Sequence, residues 1–335
     1  MMRVAFFSTQ TYDRSFFDKL NAAHGHELVW FETHLNQKTA ALAAGAEAVC
    51  VFVNDTLDPA TLEVLSTLGV RFVALRCAGF NNVDLPTAKN LDMKVVRVPE
   101  YSPFAVAEHA VALILALNRR IPRAYNRVRD GNFKLDGLMG FDLHGKTVGV
   151  VGTGKIGAIF ARIMLGFGCR VLAVDPYPDL VLQHELESKG SGYASIEEVF
   201  AQSDILSLHC PLNQHTSHLI DADTFRMTKS TLMLVNTSRG ALVDTTALIQ
   251  ALKQGRIGSV ALDVYEEEAE LFFADHSATL IQDDEFMRLL TFPNVLITAH
   301  QAFFTEEAMS SIAAITLQNL ADLQRGEGCA NEVQA

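Results

Sequence analysis

Short apolar runs alternate with helical patterns along almost the whole chain. Residues 3–8, 26–31, 48–53, 71–76 and 94–98 are runs of β-branched, aliphatic and aromatic residues of strand length. Between them, residues 13–23, 39–44 and about 59–68 repeat apolar positions at helical spacing, with Pro59 suited to a first helical turn. This alternation predicts a parallel sheet with helices on both faces. It is complete before residue 100. Residues 102–120, behind Pro103, read as one long helix crossing from this domain to the next. A second α/β series follows, with strands at 147–151, 169–175, 204–209, 231–236, 259–264 and 295–299. Its helices are expected near 155–167, 179–188, 195–202, 244–254 and 283–290. A last helix, about 305–325, ends the chain, and linkers near 100 and 300 return it to the first domain. The least regular stretch is 266–282, which carries Glu266, Glu267, Glu268 and Glu270. Such a run is ordinarily a solvated loop, with room for one acid to turn inward. The pattern does not set the order of strands in space.

One junction carries a ligand signature. The strand at 147–151 runs into Gly152-Thr-Gly154-Lys155-Ile156-Gly157, and Ile156, Ile159, Phe160 and Ile163 then recur at helical spacing. Glycines between a strand and a helix let backbone N–H groups at the helix start approach a pyrophosphate. The next strand ends in Asp175, 18 residues past Gly157, where an acid suits the hydroxyls of an adenosine ribose. Pro176-Tyr177-Pro178 follows, with no Arg to receive a 2′-phosphate, so NAD is expected rather than NADP.

Composition narrows the partners. The chain has 335 residues, enough for two domains, and a net charge of −12, which disfavours nucleic acid and anionic membranes. A small acidic substrate would need its own local positive charge. The five cysteines, Cys50, Cys77, Cys169, Cys210 and Cys329, include no C-x-x-C pair, and most lie in or beside apolar strands. They read as buried reduced thiols of a cytoplasmic protein, with no metal site. No signal peptide or membrane-spanning run is visible.

Candidate chemistry sits at the ends of later strands, where open α/β sheets bind ligands. Val235-Asn-Thr-Ser-Arg239-Gly240 offers a guanidinium, which can bind a carboxylate through two parallel bonds. Leu262-Asp263-Val-Tyr-Glu-Glu-Glu268 offers two acids, and Leu296-Ile-Thr-Ala-His300 a histidine. An ionised acid beside a histidine favours imidazolium, the form that delivers a proton to a carbonyl as hydride arrives. His109, isolated in its helix, reads as structural.

These motifs, with Tyr101-Ser-Pro-Phe-Ala-Val-Ala-Glu-His109 and His300-Gln-Ala-Phe303, resemble the D-2-hydroxyacid dehydrogenase family over the whole chain. Within it they are most similar to the fermentative, NAD-dependent D-lactate branch. The gaps also match its Arg…Glu…His order: 29 residues from Arg239 to Glu268 and 32 from Glu268 to His300. The resemblance implies two Rossmann-like, doubly wound parallel-sheet domains. Residues 1–100 and 301–335 would form a flavodoxin-like substrate domain, discontinuous in sequence, and 101–300 the NAD-binding domain. It implies His300 as acid/base, Glu268 as its partner and Arg239 as carboxylate anchor, aided by backbone amides at Ala78 and Gly79. Cofactor contacts would fall on Lys155, Ile156, Asp175, Cys210, Pro211, Thr216, Thr237 and Asp263, and pocket walls on Phe52, Tyr101 and Phe303. Each wall residue could equally be plain core. Gln301-Ala-Phe-Phe after the histidine, in place of an early glycine, resembles the D-lactate branch, so pyruvate is the expected substrate. Relatives associate through the dinucleotide domain, which implies a homodimer or homotetramer. Reduction of 2-oxoisocaproate, glyoxylate or a phosphoglycerate-type acid, and an NAD-sensing corepressor on the same fold, remain as alternatives.

Overall fold

Two parallel sheets, each built from its own part of the chain, appear in the computed structural model, which describes residues 1–268, 271–326 and 328–334. One compact unit comprises Met1–Ser102 with Phe304–Ala335, and the other Pro103–Phe303.

The first unit holds strands β1 (Arg3–Phe6), β2 (Glu27–Trp30), β3 (Ala48–Val51), β4 (Phe72–Leu75) and β5 (Lys94–Arg97). All are parallel, in the order β2-β1-β3-β4-β5, the doubly wound order of flavodoxin-like sheets. β3 and β4 are buried along their whole length because helices cover both faces, which is why they read as unbroken apolar runs. The connecting helices are α1 (Thr11–Asn21), α2 (Pro59–Thr67) and α3 (Leu85–Asn90). α2 starts where expected: Pro59 needs no N–H bond, and the Asp58 carboxylate caps the Thr61 N–H at 2.8 Å. The region expected to be helical at 39–44 is a single 3₁₀ turn, Ala40–Ala43. The C-terminal helix, Glu306–Arg325, packs on α1, β4 and β5. It does not end the chain. Residues beyond it run antiparallel along β5, where Arg97 N–H donates to Asn331 O (3.1 Å) and Val333 N–H to Val95 O (2.8 Å). That segment covers an edge that would otherwise expose unpaired backbone groups.

The second unit opens with α4 (Pro103–Asn118) and α5 (Ile121–Arg129). The long helix expected to cross between domains lies wholly in this unit, packed on α6 (Lys155–Gly166) and on the strands. The strands are β6 (Thr147–Val151), β7 (Arg170–Val174), β8 (Gly192–Tyr193), β9 (Ile205–Leu208), β10 (Met233–Asn236), β11 (Ser259–Leu262) and β12 (Val295–Ile297). Their order, β12-β11-β10-β9-β6-β7-β8, is the Rossmann arrangement extended by one strand. The strand order reverses beside β6, so the crevice for a dinucleotide opens where β6 meets α6. The remaining helices are α7 (Leu180–Glu187), α8 (Ile196–Gln202), α9 (Ala222–Met227), α10 (Thr245–Lys253) and α11 (Asp284–Leu290). All five cysteines are buried free thiols. Among the described residues no helix is long and apolar enough to cross a membrane.

Candidate active site

The glycine loop shows what each glycine is for. Gly152 has φ +91°, and a Cβ there would lie 2.7 Å from the Cys210 nitrogen at the end of β9. A Cβ on Gly157 would overlap Gly152 O at 2.0 Å, so α6 can approach β6 only through a glycine. Gly154 is exposed, with nothing within 4 Å of its absent Cβ. Turn, close packing and open approach are the three demands of a pyrophosphate loop. Beneath it, the His209 ring packs on Phe160 (4.8 Å) and meets Ser207 Oγ through Nε2 (2.9 Å). Burial pushes the His209 imidazole down to about 3, so it is neutral. Asp175, at the end of β7, is held against the loop. Its Oδ2 accepts from Thr153 N–H at 2.6 Å and its Oδ1 from Tyr177 N–H at 2.8 Å.

The ends of β9 and β10 are joined by the Ser238 hydroxyl, which donates to Cys210 O at 2.7 Å. Thr216 Oγ1 donates to Pro211 O at 2.6 Å and fixes the next turn. Thr237 Oγ1 is buried and has no hydrogen-bond partner among the described residues. Arg239 is half-buried. One N–H of its guanidinium donates to Ser238 O (2.6 Å), and no other protein acceptor meets it among the described residues. Gly240 lets this loop lie on the Tyr265 backbone, since a Cβ there would come within 2.1 Å of the Tyr265 carbonyl.

Glu268 and His300 meet. Glu268 Oε1 lies 2.7 Å from His300 Nδ1, while Oε2 accepts from Tyr265 N–H at 2.9 Å. A carboxylate only accepts, so Nδ1 carries the hydrogen of that bond and Nε2 is left to gain or lose a proton. Of the rest of the acidic run, Glu266 bonds His218 Nε2 (2.5 Å) and Thr245 Oγ1 (3.0 Å), and Glu267 is exposed. The hydrogen bond that its ring donates to Glu266 holds the His218 imidazole above its usual range. Glu270 lies outside the described residues.

His300 has φ +51°, a left-handed backbone uncommon outside glycine, and its surroundings hold it there. The surroundings are Asp263. His300 N–H donates to Asp263 O at 2.7 Å. The Asp263 carboxylate takes the next two N–H groups, Gln301 (3.0 Å) and Ala302 (2.9 Å), and the Thr298 hydroxyl (2.5 Å). His109 Nε2, on α4, stands 3.3 Å from the same carboxylate. Asp263 is 0% exposed. Burial works to raise its pKa, but hydrogen bonds from His109, Thr298 and Ala302 N–H outweigh it and hold the carboxyl below the usual range. Asp263, expected among the cofactor contacts, is thus placed as an internal brace for the His300 turn.

Ala78, Gly79, Phe52 and Tyr101 lie in the first unit, and Phe303 in the second, where it is buried. Ala78 and Gly79 follow β4, and neither N–H has an acceptor among the described residues. Phe52 is 8% exposed, under the guanidinium of the buried Arg76 (4.9 Å to the ring centroid). Tyr101 is half-buried.

Residues 111–302 match the family model described as the D-isomer specific 2-hydroxyacid dehydrogenase NAD-binding domain. The chain belongs to the D-isomer specific 2-hydroxyacid dehydrogenases. It is 53% identical to D-lactate dehydrogenase of Escherichia coli over 99% of this chain and 100% of that protein. The apo-structure of D-lactate dehydrogenase from Escherichia coli superposes with a TM-score of 0.89 at 50% identity, covering 99% of this chain and 100% of that one. A pyruvate reductase of Chlamydomonas reinhardtii superposes at 0.92 with 44% identity, covering 99% and 98%.

The chain is therefore an NAD-dependent dehydrogenase, and its own residues fit that cofactor. Gly154 leaves the space a pyrophosphate needs, and Thr237 carries an orphaned hydroxyl just after β10, at the same carboxyl edge of the sheet. His109, expected to be structural, and Thr298, not singled out in the sequence, both meet Asp263. Their signal was a polar side chain inside an apolar helix and another two residues before His300, but the acid they share comes from a third segment.

Proposed function

We propose that this dehydrogenase reduces pyruvate to D-lactate with NADH. The observation that carries the reading is the 2.7 Å Glu268–His300 bond at the mouth of a dinucleotide-binding sheet, in a chain 53% identical to a D-lactate dehydrogenase. NADH, when bound, supplies hydride to the substrate's carbonyl carbon. His300 Nε2 gives the proton to the carbonyl oxygen, and Glu268 orients the ring and favours its protonated form. Arg239 anchors the carboxylate by charge-assisted hydrogen bonds, and the Ala78 and Gly79 N–H groups donate to it. Phe52, Tyr101 and Phe303 wall the side-chain pocket and leave room for a methyl group.

Gly152, Gly154, Lys155, Ile156 and Gly157 hold the pyrophosphate. Asp175 accepts from the ribose diol and repels a 2′-phosphate. Cys210, Pro211, Thr216, Thr237 and the Asp263 segment flank the rest of the cofactor. Residues 101–300 bind NAD, while 1–100 and 301–335 bind substrate. The protein works in the cytoplasm as a homodimer or homotetramer. In support of assembly, α5 has no buried residue, and Ile121, Tyr125 and Val128 are exposed, as are Phe133, Leu135 and Met139 after it. The test is steady-state reduction of pyruvate, glyoxylate, 2-oxoisocaproate and a phosphorylated 2-oxoacid with NADH and NADPH. Pyruvate with NADH should give the highest kcat/KM. A preference for 2-oxoisocaproate, or equal use of NADPH, would overturn the reading.

A further inference from the structure

The segment Cys77–Gly79 is tied down by its carbonyls. Cys77 O accepts from Val98 N–H at 3.1 Å, and Gly79 O from the Cys77 thiol at 3.3 Å. Between them, Ala78 O accepts from Arg97 Nη1 at 2.7 Å, and the same guanidinium lies over the Phe80 ring at 5.1 Å. The N–H groups of Ala78 and Gly79 have no acceptor among the described residues. In a trans peptide the carbonyl and the following N–H point in opposite directions in one plane. Whatever grips Ala78 O therefore sets the direction of Gly79 N–H. A cationic donor on that oxygen also polarises the amide and strengthens its N–H as a donor.

Arg97 is itself fixed at both backbone ends. Its N–H donates to Asn331 O (3.1 Å), and its carbonyl accepts from Asn319 Nδ2 (2.9 Å). Asn319 is 2% exposed, and its Oδ1 accepts from Asn331 Nδ2 at 2.8 Å. The C-terminal helix and the segment after it thus hold Arg97 in place at the end of β5. Among the described residues its guanidinium has no carboxylate partner, so its charge stands uncancelled behind the two amides.

We infer that Arg97 is a positioning residue for substrate recognition: it holds the Ala78–Gly79 peptide so that its N–H meets the substrate carboxylate, and the C-terminal segment keeps Arg97 in place. The inference rests on the reading that the Ala78 and Gly79 amides bind that carboxylate. A carboxylate keeps its charge throughout the reaction, so this interaction is shared by bound substrate and transition state and acts on KM.

The test is Arg97→Met in the full chain, which keeps the apolar stem and both backbone ties. KM for pyruvate should rise about tenfold or more, the loss expected for one charge-assisted bond. kcat should stay within about twofold, and NADH binding measured by fluorescence should be unchanged. A merely structural role would instead remove active enzyme, lowering kcat and sparing KM. Should Arg97→Met accumulate unfolded, Arg97→Lys, which lacks the flat face over Phe80, should raise KM several-fold. In parallel, the amide resonances of Ala78 and Gly79 are followed in wild type carrying NADH, a pair that cannot react, as D-lactate is added. Resonances that move while the variant's KM stays within twofold of wild type would overturn the role of Arg97 and leave the reading of the amides intact. Resonances that stay still would overturn that reading, and the inference with it.

Discussion

Asp263→Asn removes the brace under His300 with almost no change of shape. The native carboxylate accepts from Thr298 Oγ1 and Gln301 N–H on one oxygen and from Ala302 N–H on the other. An amide keeps one acceptor oxygen and turns the other into a donor. Whichever way it faces, at least one backbone N–H loses its acceptor in a site that water does not reach. An orphaned buried donor costs about 1–3 kcal/mol. The bonds that survive fall from charge-assisted to neutral, roughly half as strong. Together the loss should be about 2–4 kcal/mol, read as a lower urea midpoint at unchanged slope.

The pH dependence has a definite sign. The folded carboxyl sits below its usual range because hydrogen bonds outweigh burial, so the group's contribution is complete above the unfolded value of about 3.9. It is lost progressively as pH falls from there through the folded value. The gap between wild type and variant should stay constant from pH 7 to 5 and narrow below about pH 4. Activity should fall as well, because the left-handed His300 turn loses at least one of its ties, and a displacement of about 1 Å can cost on the order of 100-fold. A variant within about 0.5 kcal/mol of wild type and with wild-type kcat would refute the brace.

Arg239→Gln should lower kcat/KM for pyruvate by roughly 10²–10⁴-fold while NADH still binds, since two charge-assisted bonds of about 1.5–3 kcal/mol each are lost; a few-fold effect would take Arg239 out of the site. In Glu268→Gln, the alkaline fall of pyruvate reduction should move to lower pH, with Glu268→Asp milder, when kcat/KM is followed against pH at saturating NADH; an unchanged profile would leave His300 needing another partner. His209 is neutral in the fold, its imidazole pushed down to about 3, so the unfolded chain gains a proton first as pH drops below about 6.5. That contributes a loss of about 2 kcal/mol by pH 5. His209→Asn should lose less stability than wild type between pH 7 and 5 in urea titrations, and equal losses would contradict the neutral assignment.

What the sequence disclosed depended on how local each signal was. Strands and packed helices are apolar runs with a period, so β1–β7 and β9–β12 were all expected within two or three residues of their limits. The glycine loop was legible because turn, approach and packing fall within six residues. β8 is two residues long and α3 and α9 six each, too short for a period to show. α5 was missed although Ile121, Tyr125 and Val128 form a helical stripe, because Arg119 and Arg120 interrupt the apolar run before it and Pro122 falls at its second residue. The order of strands, and the run of the C-terminal segment along β5, depend on pairings between distant segments that no local pattern encodes. The same holds for the site. Arg239, Glu268 and His300 stood out as polar residues at strand ends, whereas His109 and Arg97 have meaning only through Asp263 and Ala78. Asp263 itself was noticed, but its burial was not legible in the strand that carries it.

The reaction is tested most directly by giving the purified protein pyruvate and NADH and separating the product on a chiral column. One D-lactate should form for each NADH consumed, and His300→Gln should abolish it while NADH binding persists. L-lactate, or NADH binding without turnover of pyruvate by the wild-type protein, would contradict the proposed reaction.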